Sequence, residues 1–204
     1  MTRDARLRRW LEALVNTPGL TSVQPDDAWN LLVEDALVAL PYLASHGTVV
    51  DVGSGGGSPG LPVAAARPDL DVTLLEAARR KCAFLEDAAS VFANVRVVCE
   101  RAEEHARGPG RDAYRAALAR ALAPQAVAAE WCLPLVAPGG LLILFAGSPE
   151  PGIDRAADLL GSAPPDVVRV AGTRTKTLLL FRKLRPTPER FPRRPGVARK
   201  RPLR

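Results

Sequence analysis

Histidine is nearly absent from this chain, with only His46 and His105 among 204 residues. That scarcity argues against a zinc site, and no Ser/His/Asp or Cys/His arrangement for nucleophilic catalysis is evident. Cysteine is sparse and odd in number. Cys82, Cys99 and Cys132 are widely spaced and lie in helix-like or strand-like segments, which predicts buried small apolar side chains rather than ligands or disulfides. No run of about 18 apolar residues occurs, so no membrane span is expected. Arg3, Arg6, Arg8 and Arg9 precede an apolar segment at 10–15 that is too short, and too interrupted by Glu12, for a signal peptide. These absences together point to a cytoplasmic protein. No internal repeat is visible, and 204 residues suffice for one sizeable core with appendages.

Glycine, by contrast, is concentrated in one place. Residues 47–62 read GTVVDVGSGGGSPGLP. Thr48, Val49, Val50 and Val52 are β-branched and fit a short buried strand ending in an acid, Asp51. Five glycines follow within eight residues, and Pro59 with Leu61 opens a helix. A strand, a glycine loop and a helix start form a site for the polar part of a nucleotide-like ligand, with unpaired N–H groups expected at the helix end. Two glycine patterns overlap there. Gly55-x-Gly57-x-x-Gly60 fits the dinucleotide pattern, and Asp51-x-Gly53-x-Gly55-x-Gly57 fits the acid-plus-alternating-glycine pattern of S-adenosylmethionine (SAM) methyltransferases. In the dinucleotide pattern the first glycine follows the strand almost at once, but Gly55 is four residues beyond Asp51. Gly53 directly follows the strand, which favours SAM over NAD. A flexible Gly/Ser linker fits poorly, because patterned apolar segments flank both sides.

Two helices precede this strand. Residues 3–15 place Leu7, Trp10, Leu11, Leu14 and Val15 on one side, and a second helix runs from Pro25-Asp26-Asp27 through Leu40, stopping near Pro41. Strands and helices then alternate, predicting a parallel α/β sheet. Strands are expected at 71–76, 95–99, 113–119 and 141–145, with helices at 78–93, 124–136 and 152–160. A closing hairpin is expected from 165–171 and 176–182. The fold class is thus a mostly parallel sheet with a C-terminal antiparallel hairpin and helices on both faces. Three regions follow: a helical extension at 1–45, a ligand-binding domain at 46–183 and an irregular Pro/Arg-rich tail at 184–204.

Charge is uneven. From Arg182 to Arg204 ten basic residues face the single acid Glu189, giving about +9 and leaving about −3 for the rest of a chain whose total is +6. The basic residues Arg182, Lys183, Arg185, Arg190, Arg193, Arg194, Arg199, Lys200 and Arg201 are candidates for phosphate contacts, the alternative being a solubilising arm. Asp51, Glu76 and the segment Glu100-Arg-Ala102-Glu103 fall at strand carboxyl ends, where ligands of open α/β sheets bind. Glu76 stands about 25 residues past Asp51, near the spacing at which an acid reaches ribose hydroxyls; the alternative is a helix-capping carboxylate. Ala102 and Glu103 either frame an adenine or belong to an ordinary first turn.

These motifs resemble the RsmG (GidB) family of methyltransferases, over roughly residues 19–203. Residues 51–62 resemble the family's DxGTGxGxPGxP loop. Arg67-Pro68 with Leu74-Leu75-Glu76, then Arg80-Lys81, Phe84-Leu85, Arg101-Ala102-Glu103, Ala119-Arg120-Ala121 and Pro138-Gly139-Gly140 also match, as does the C-terminus at 186–203. The resemblance implies a class I SAM-dependent (Rossmann-like) methyltransferase fold. It implies methyl transfer to N7 of a guanine in the 530 loop of 16S rRNA, with that rRNA or the small ribosomal subunit as partner. Carried over position by position, it implies SAM contacts at Gly53, Gly55, Gly57, Ser58, Glu76, Ala102, Glu103 and Arg120. It implies no general base, since guanine N7 has no proton to lose. The chain departs from the family at Gly19 (usually Asn), Leu32 (usually His) and Ala146 (usually Lys), and its N-terminal helical region is short. Those departures lie on the face expected to receive RNA. They keep two alternatives open: a SAM-binding or ribosome-associated homologue without catalysis, and a methyltransferase with another substrate.

Overall fold

In a computed structural model, which describes residues 2–172 and 177–203, the chain opens with α1 (Arg3–Asn16), capped by the Thr2 hydroxyl accepting from Ala5 N–H. Helix α2 (Pro25–Trp29) continues through a π-helical turn (Asn30–Glu34) into α3 (Asp35–Leu37). The single helix expected to reach Leu40 is therefore widened in the middle, with Asp35 N–H closing onto the Asn30 carbonyl, and a 3-10 turn (Leu40–Tyr42) completes it. The alternating part follows as β1 (Gly47–Val52), α4 (Gly60–Ala66), β2 (Leu70–Glu76), α5 (Arg79–Ala89), β3 (Val95–Cys99) and α6 (Ala102–His105). It continues with β4 (Tyr114–Arg120), α7 (Gln125–Cys132), β5 (Val136–Ala146), α8 (Ile153–Leu159), β6 (Asp166–Arg169), β7 (Thr177–Arg182) and α9 (Val197–Lys200). Lys176, expected to start the last strand, lies outside the described residues, as does Arg204.

The seven strands form one sheet in the order β3-β2-β1-β4-β5-β7-β6. The first five are parallel; β7 runs antiparallel to both β5 and β6, as the expected hairpin requires. Alternation along β1 divides two apolar clusters. Val49 packs with Leu7, Trp10 and Leu61 on the face of α1 and α4, whereas Val50 and Val52 pack with Ala129, Leu135 and Ala156 on the face of α7 and α8. The alanines of β4 carry a weak strand signal, but β4 lies between β1 and β5, where Ala117 and Leu118 are fully buried. A central, doubly covered position decides the strand there, not intrinsic propensity.

Two expectations are corrected. The segment 184–203 is irregular up to α9, as expected, but it is packed on the domain and not a free tail: Thr187, Phe191 and Ala198 are buried. Its course is pinned from inside. Buried Glu130 receives both Nε and the backbone N–H of Arg193, at 2.8 and 3.0 Å. Arg111 donates to the Phe191 and Thr187 carbonyls, and Arg107 to the Pro192 carbonyl. Removing one partner of such a buried pair costs about 3–5 kcal/mol. The cysteine expectation is corrected too: Cys82 and Cys99 form a disulfide, with Cα atoms 5.8 Å apart. The register of β2 and β3 sets Cys99 opposite Glu76, and α5 turns back so that its first turn brings Cys82 to the same place. Cys132 is buried and free, as expected.

The bridge closes a separation of 17 residues, which in the loop-entropy account stabilises the fold by about 3 kcal/mol. Urea unfolding of the Cys82→Ser/Cys99→Ser double variant should show a loss of that order against the oxidised wild type. The loss should vanish when both proteins are unfolded in dithiothreitol.

Candidate functional site

The strand order reverses between β1 and β4, which makes their carboxyl ends the topological switch point. Asp51 lies there, 1 % exposed. Its Oδ2 accepts the Gly60 N–H at 3.0 Å, and its Oδ1 is buried without a partner. Burial pushes the Asp51 carboxyl up to about 7, opposed by the Gly60 N–H, by the charge of Arg120 and by Ser54. Gly60 has to be glycine, since a Cβ there would stand 2.3 Å from Leu74 and 2.8 Å from the Asp51 carboxylate.

The helix end does not offer the free N–H groups expected of it. Gly60 N–H goes to Asp51 and Leu61 N–H to the Gly57 carbonyl. Within the loop, Gly53 and Ser54 donate to the Leu75 carbonyl, Gly55 to Glu76 and Gly57 to the Ser54 carbonyl. A dinucleotide pyrophosphate requires those groups free and a helix start clear of negative charge. Here a carboxylate occupies the helix start. With those donors spent and an acid at the helix start, the loop lacks the free N–H groups a pyrophosphate needs, in agreement with the glycine spacing.

Beside the loop lies a cleft of about 270 Å³ at the ends of β1, β2, β3 and β4. Gly53, Glu76, Ala102 and Glu103 line it together, and Gly55 reaches it through its bond to Glu76. Glu76 is held by backbone donors at the edge of the cleft. Its Oε1 accepts from Ala77 and Ala78 N–H at the entry to α5, while Oε2 accepts from Gly55 at 3.0 Å, and the side chain still faces the cleft. Glu103 is 3 % exposed, in the first turn of α6; Arg101 stands 3.5 Å away, and the Gly196 N–H donates to its Oε1 at 3.4 Å.

Gly57, Ser58 and Arg120 are not brought into this cleft. Gly57 is buried under Trp10 and Leu61. The Ser58 hydroxyl donates to the Leu32 carbonyl at 2.6 Å and Arg120 to the Leu31 carbonyl at 2.8 Å, both in the π-helical turn. These side chains hold the N-terminal helices against the loop, and desolvation of Arg120 lowers its pKa despite the acids Asp51 and Asp35. The sequence pattern did not reveal Ala121, Leu122, Trp131 and Arg199 as cleft residues, and they line it together with Lys81, Glu100 and Arg101 among others. Ala121 has φ +52, and Arg199 comes from the far end of the chain, 5.2 Å above the Trp131 ring. Only the direct continuation Arg120-Ala121-Leu122 past β4 was available as a signal.

A second cleft, of about 420 Å³, lies at the opposite, amino-terminal end of the sheet, around His46, Thr48, Arg115 and Gly139. Its position is wrong for a ligand of an open α/β sheet. No helix of the described residues is long and apolar enough to cross a membrane, and no group of three or more His, Cys, Asp or Glu among them is placed to hold a metal.

Of the basic C-terminal residues, Lys183 is corrected: it is 1 % exposed and donates to the Val136 carbonyl at 3.0 Å, to the Leu133 carbonyl and to Thr187. Burial pulls its pKa down to about 8, with Asp112 acting against the shift. Arg193 is likewise committed to Glu130. Arg182 and Arg185 are exposed but paired with Asp166 and Asp158, and Arg190 lies over Phe191. Arg194, Lys200 and Arg201 are exposed.

Comparison with known proteins agrees with this geometry. Residues 5–152 match the family described as rRNA small subunit methyltransferase G. The chain is 35 % identical to the "Ribosomal RNA small subunit methyltransferase G" of Synechococcus sp., over 92 % of this chain and 79 % of that protein. It is 37 % identical to the protein of the same name from Sorangium cellulosum, over 90 % and 80 %. Among solved structures it is similar to a mutant of MtNAS in complex with S-adenosylmethionine, with TM-score 0.61 and 14 % identity over 89 % of this chain and 73 % of that one. It is also similar to Aeropyrum pernix fibrillarin with natively bound S-adenosyl-L-methionine, with TM-score 0.54 and 17 % identity over 75 % and 76 %. At these identities the structures show the class I methyltransferase fold.

Asp51 generates a prediction for the ligand-free protein. Its folded pKa is raised from 3.8 to about 7, so the folded state binds the extra proton in that window. Stability from this group is therefore greatest below about pH 4 and falls as pH rises through 7, by on the order of 4 kcal/mol in all. Denaturant titrations from pH 4 to 8 should show that decline, and Asp51→Asn should flatten it.

Proposed function

Since the chain belongs to the rRNA small subunit methyltransferase G family, we propose that it transfers a methyl group from SAM to N7 of a guanine in the 530 loop of 16S rRNA. The observation that carries the cofactor half is the Asp51–Gly60 bond, which closes the helix start to phosphate and leaves a cleft lined by Glu76 and Glu103 at the switch point. The residues fit the cofactor's parts. Glu76 accepts ribose hydroxyls. Ala102 and Glu103 frame the adenine. Gly53 and Gly55 carry no side chain to obstruct the methionine end, and Gly57 and Ser58 shape the loop from beneath. Arg120 acts by holding the N-terminal helices and by partly neutralising Asp51.

When bound, SAM supplies a methyl group on a sulfonium, already activated for displacement. The chain's part is orientation, because guanine N7 has a lone pair and no proton to remove. With SAM held at Gly53, Glu76, Ala102 and Glu103, the residues' task would be to keep the methyl–sulfur bond in line with N7, where displacement at carbon would carry the positive charge from sulfur to the purine. Positioning and fixed dipoles supply catalysis of this kind, and no histidine–acid pair is called for. From the proposed rRNA substrate we infer that the protein works in the cytoplasm.

A reading in which catalysis has been lost rests on the three departures, and the structure weakens one of them. Gly19 has φ +76, a conformation shared by glycine and asparagine, so the replacement preserves the turn. Leu32 is buried in the core, and nothing in the structure explains its replacement of histidine.

Labelled methyl transfer from SAM to small subunits lacking the modification tests the activity. N7-methylguanosine recovered from the 530 loop is expected; label elsewhere would redirect the substrate, and none at all would favour the non-catalytic reading. Of the C-terminal cations, Arg194, Lys200 and Arg201 are free to meet phosphates. Their joint replacement by alanine should flatten the dependence of log K for RNA on log salt by about 0.7–0.9 for each phosphate no longer neutralised, read from binding titrations at several salt concentrations.

A further inference from the structure

The Cys82–Cys99 bridge joins two elements that carry cleft residues. Cys82 lies in the first turn of α5, directly after Lys81. Cys99 ends β3, directly before the segment Glu100-Arg101-Ala102-Glu103. Lys81 and all four residues of that segment line the cleft. Glu76 stands beside the bridge: β3 sets Cys99 opposite it in register, and Cys82 Sγ lies 3.3 Å from its carbonyl oxygen. The two cysteines differ in access, since Cys82 is 3 % exposed and Cys99 lies at the surface. A protein of the reducing cytoplasm seldom keeps a disulfide for stability alone; those that form there are mostly catalytic or redox-sensing.

We propose that Cys82 and Cys99 form a thiol–disulfide exchange site whose redox state sets the affinity of the cofactor cleft. The inference rests on the cofactor reading and the cytoplasmic setting given above. A low-molecular-weight thiol, as its thiolate, attacks the sulfur of the exposed Cys99. The Cys82 sulfur leaves with the electron pair of the broken S–S bond and takes a proton from water, and the thiol so formed has the Glu76 carbonyl as its acceptor. A second thiolate then releases Cys99 from the mixed disulfide. The protein gains two electrons and two protons, and two small thiols become one small disulfide. That small disulfide is the oxidant in the reverse direction. While the bridge is closed, Lys81 on α5 and residues 100–103 after β3 are tied together beside Glu76. Opening it leaves both segments to be ordered by the ligand, which weakens binding.

The test equilibrates the full-length protein in buffers of reduced and oxidised glutathione, with free thiols then alkylated and mapped by mass spectrometry. The bridge should open and close reversibly in the folded chain, and the glutathione adduct should sit on Cys99. Calorimetric titration should find SAM bound about three- to tenfold more tightly by the oxidised than by the reduced protein, the worth of ordering one side chain. By linkage, saturating SAM should shift the redox equilibrium against glutathione by the same factor. The Cys82→Ser/Cys99→Ser variant should bind like the reduced wild type in every buffer, with its folding checked by circular dichroism. Equal affinity of the oxidised and reduced wild type, or a bridge that glutathione cannot open in the folded chain, would overturn the proposal while leaving the cofactor reading intact. Failure to bind SAM in either state would overturn both.

Discussion

The bond from Gly60 N–H to the Asp51 carboxylate joins the sheet to everything built upon it. It fixes the turn from β1 into α4, and it puts a buried acid where a nucleotide phosphate would otherwise sit. The loop then has to close on its own backbone, with Gly53 and Ser54 on the Leu75 carbonyl and Gly55 on Glu76. Positive φ at Gly53, Gly55 and Gly57 makes that closure possible. Where the N–H groups are spent, more than the number of glycines, leaves this helix start without free donors for a phosphate. The unpaired Asp51 Oδ1 and the raised carboxyl pKa show that the acid is held at an energetic cost.

Around this centre both ends of the chain are drawn in. At the N-terminal side the π-helical turn presents the Leu31 and Leu32 carbonyls to Arg120 and Ser58, and Trp10 donates to the Gly56 carbonyl at 2.8 Å. Widened turns of this kind recur at functional sites, and here the turn lets the helical extension grip the loop. At the C-terminal side Glu130 and Arg193 hold the chain in the same way. Ser58 and Arg120 fasten the N-terminal helices to the loop, and Lys183 and Arg193, which looked like phosphate contacts, are internal fasteners instead. The basic surplus is correspondingly reduced: two of its cations are spent internally, and Arg199 turns toward the cleft.

Local patterns in the sequence determined the sheet's parallel part, the closing antiparallel pair, the acid-ended first strand and the SAM register of the glycine loop. Each depends on neighbours a few residues apart, where β-branching, periodicity and glycine placement act directly on the backbone. Gly53, Glu76, Ala102 and Glu103 were legible because strand carboxyl ends converge on one edge in any such sheet. Tertiary structure alone decided the rest. The Cys82–Cys99 bridge required the β2–β3 register to bring the two together. The path of the C-terminus required Glu130 and Arg193, distant in sequence, to meet in a buried pair. The C-terminal lining of the cleft required Trp131 and Arg199 to stack across that junction. A buried charge or a paired cysteine takes its meaning from partners that only folding brings within reach, and composition or spacing cannot name them.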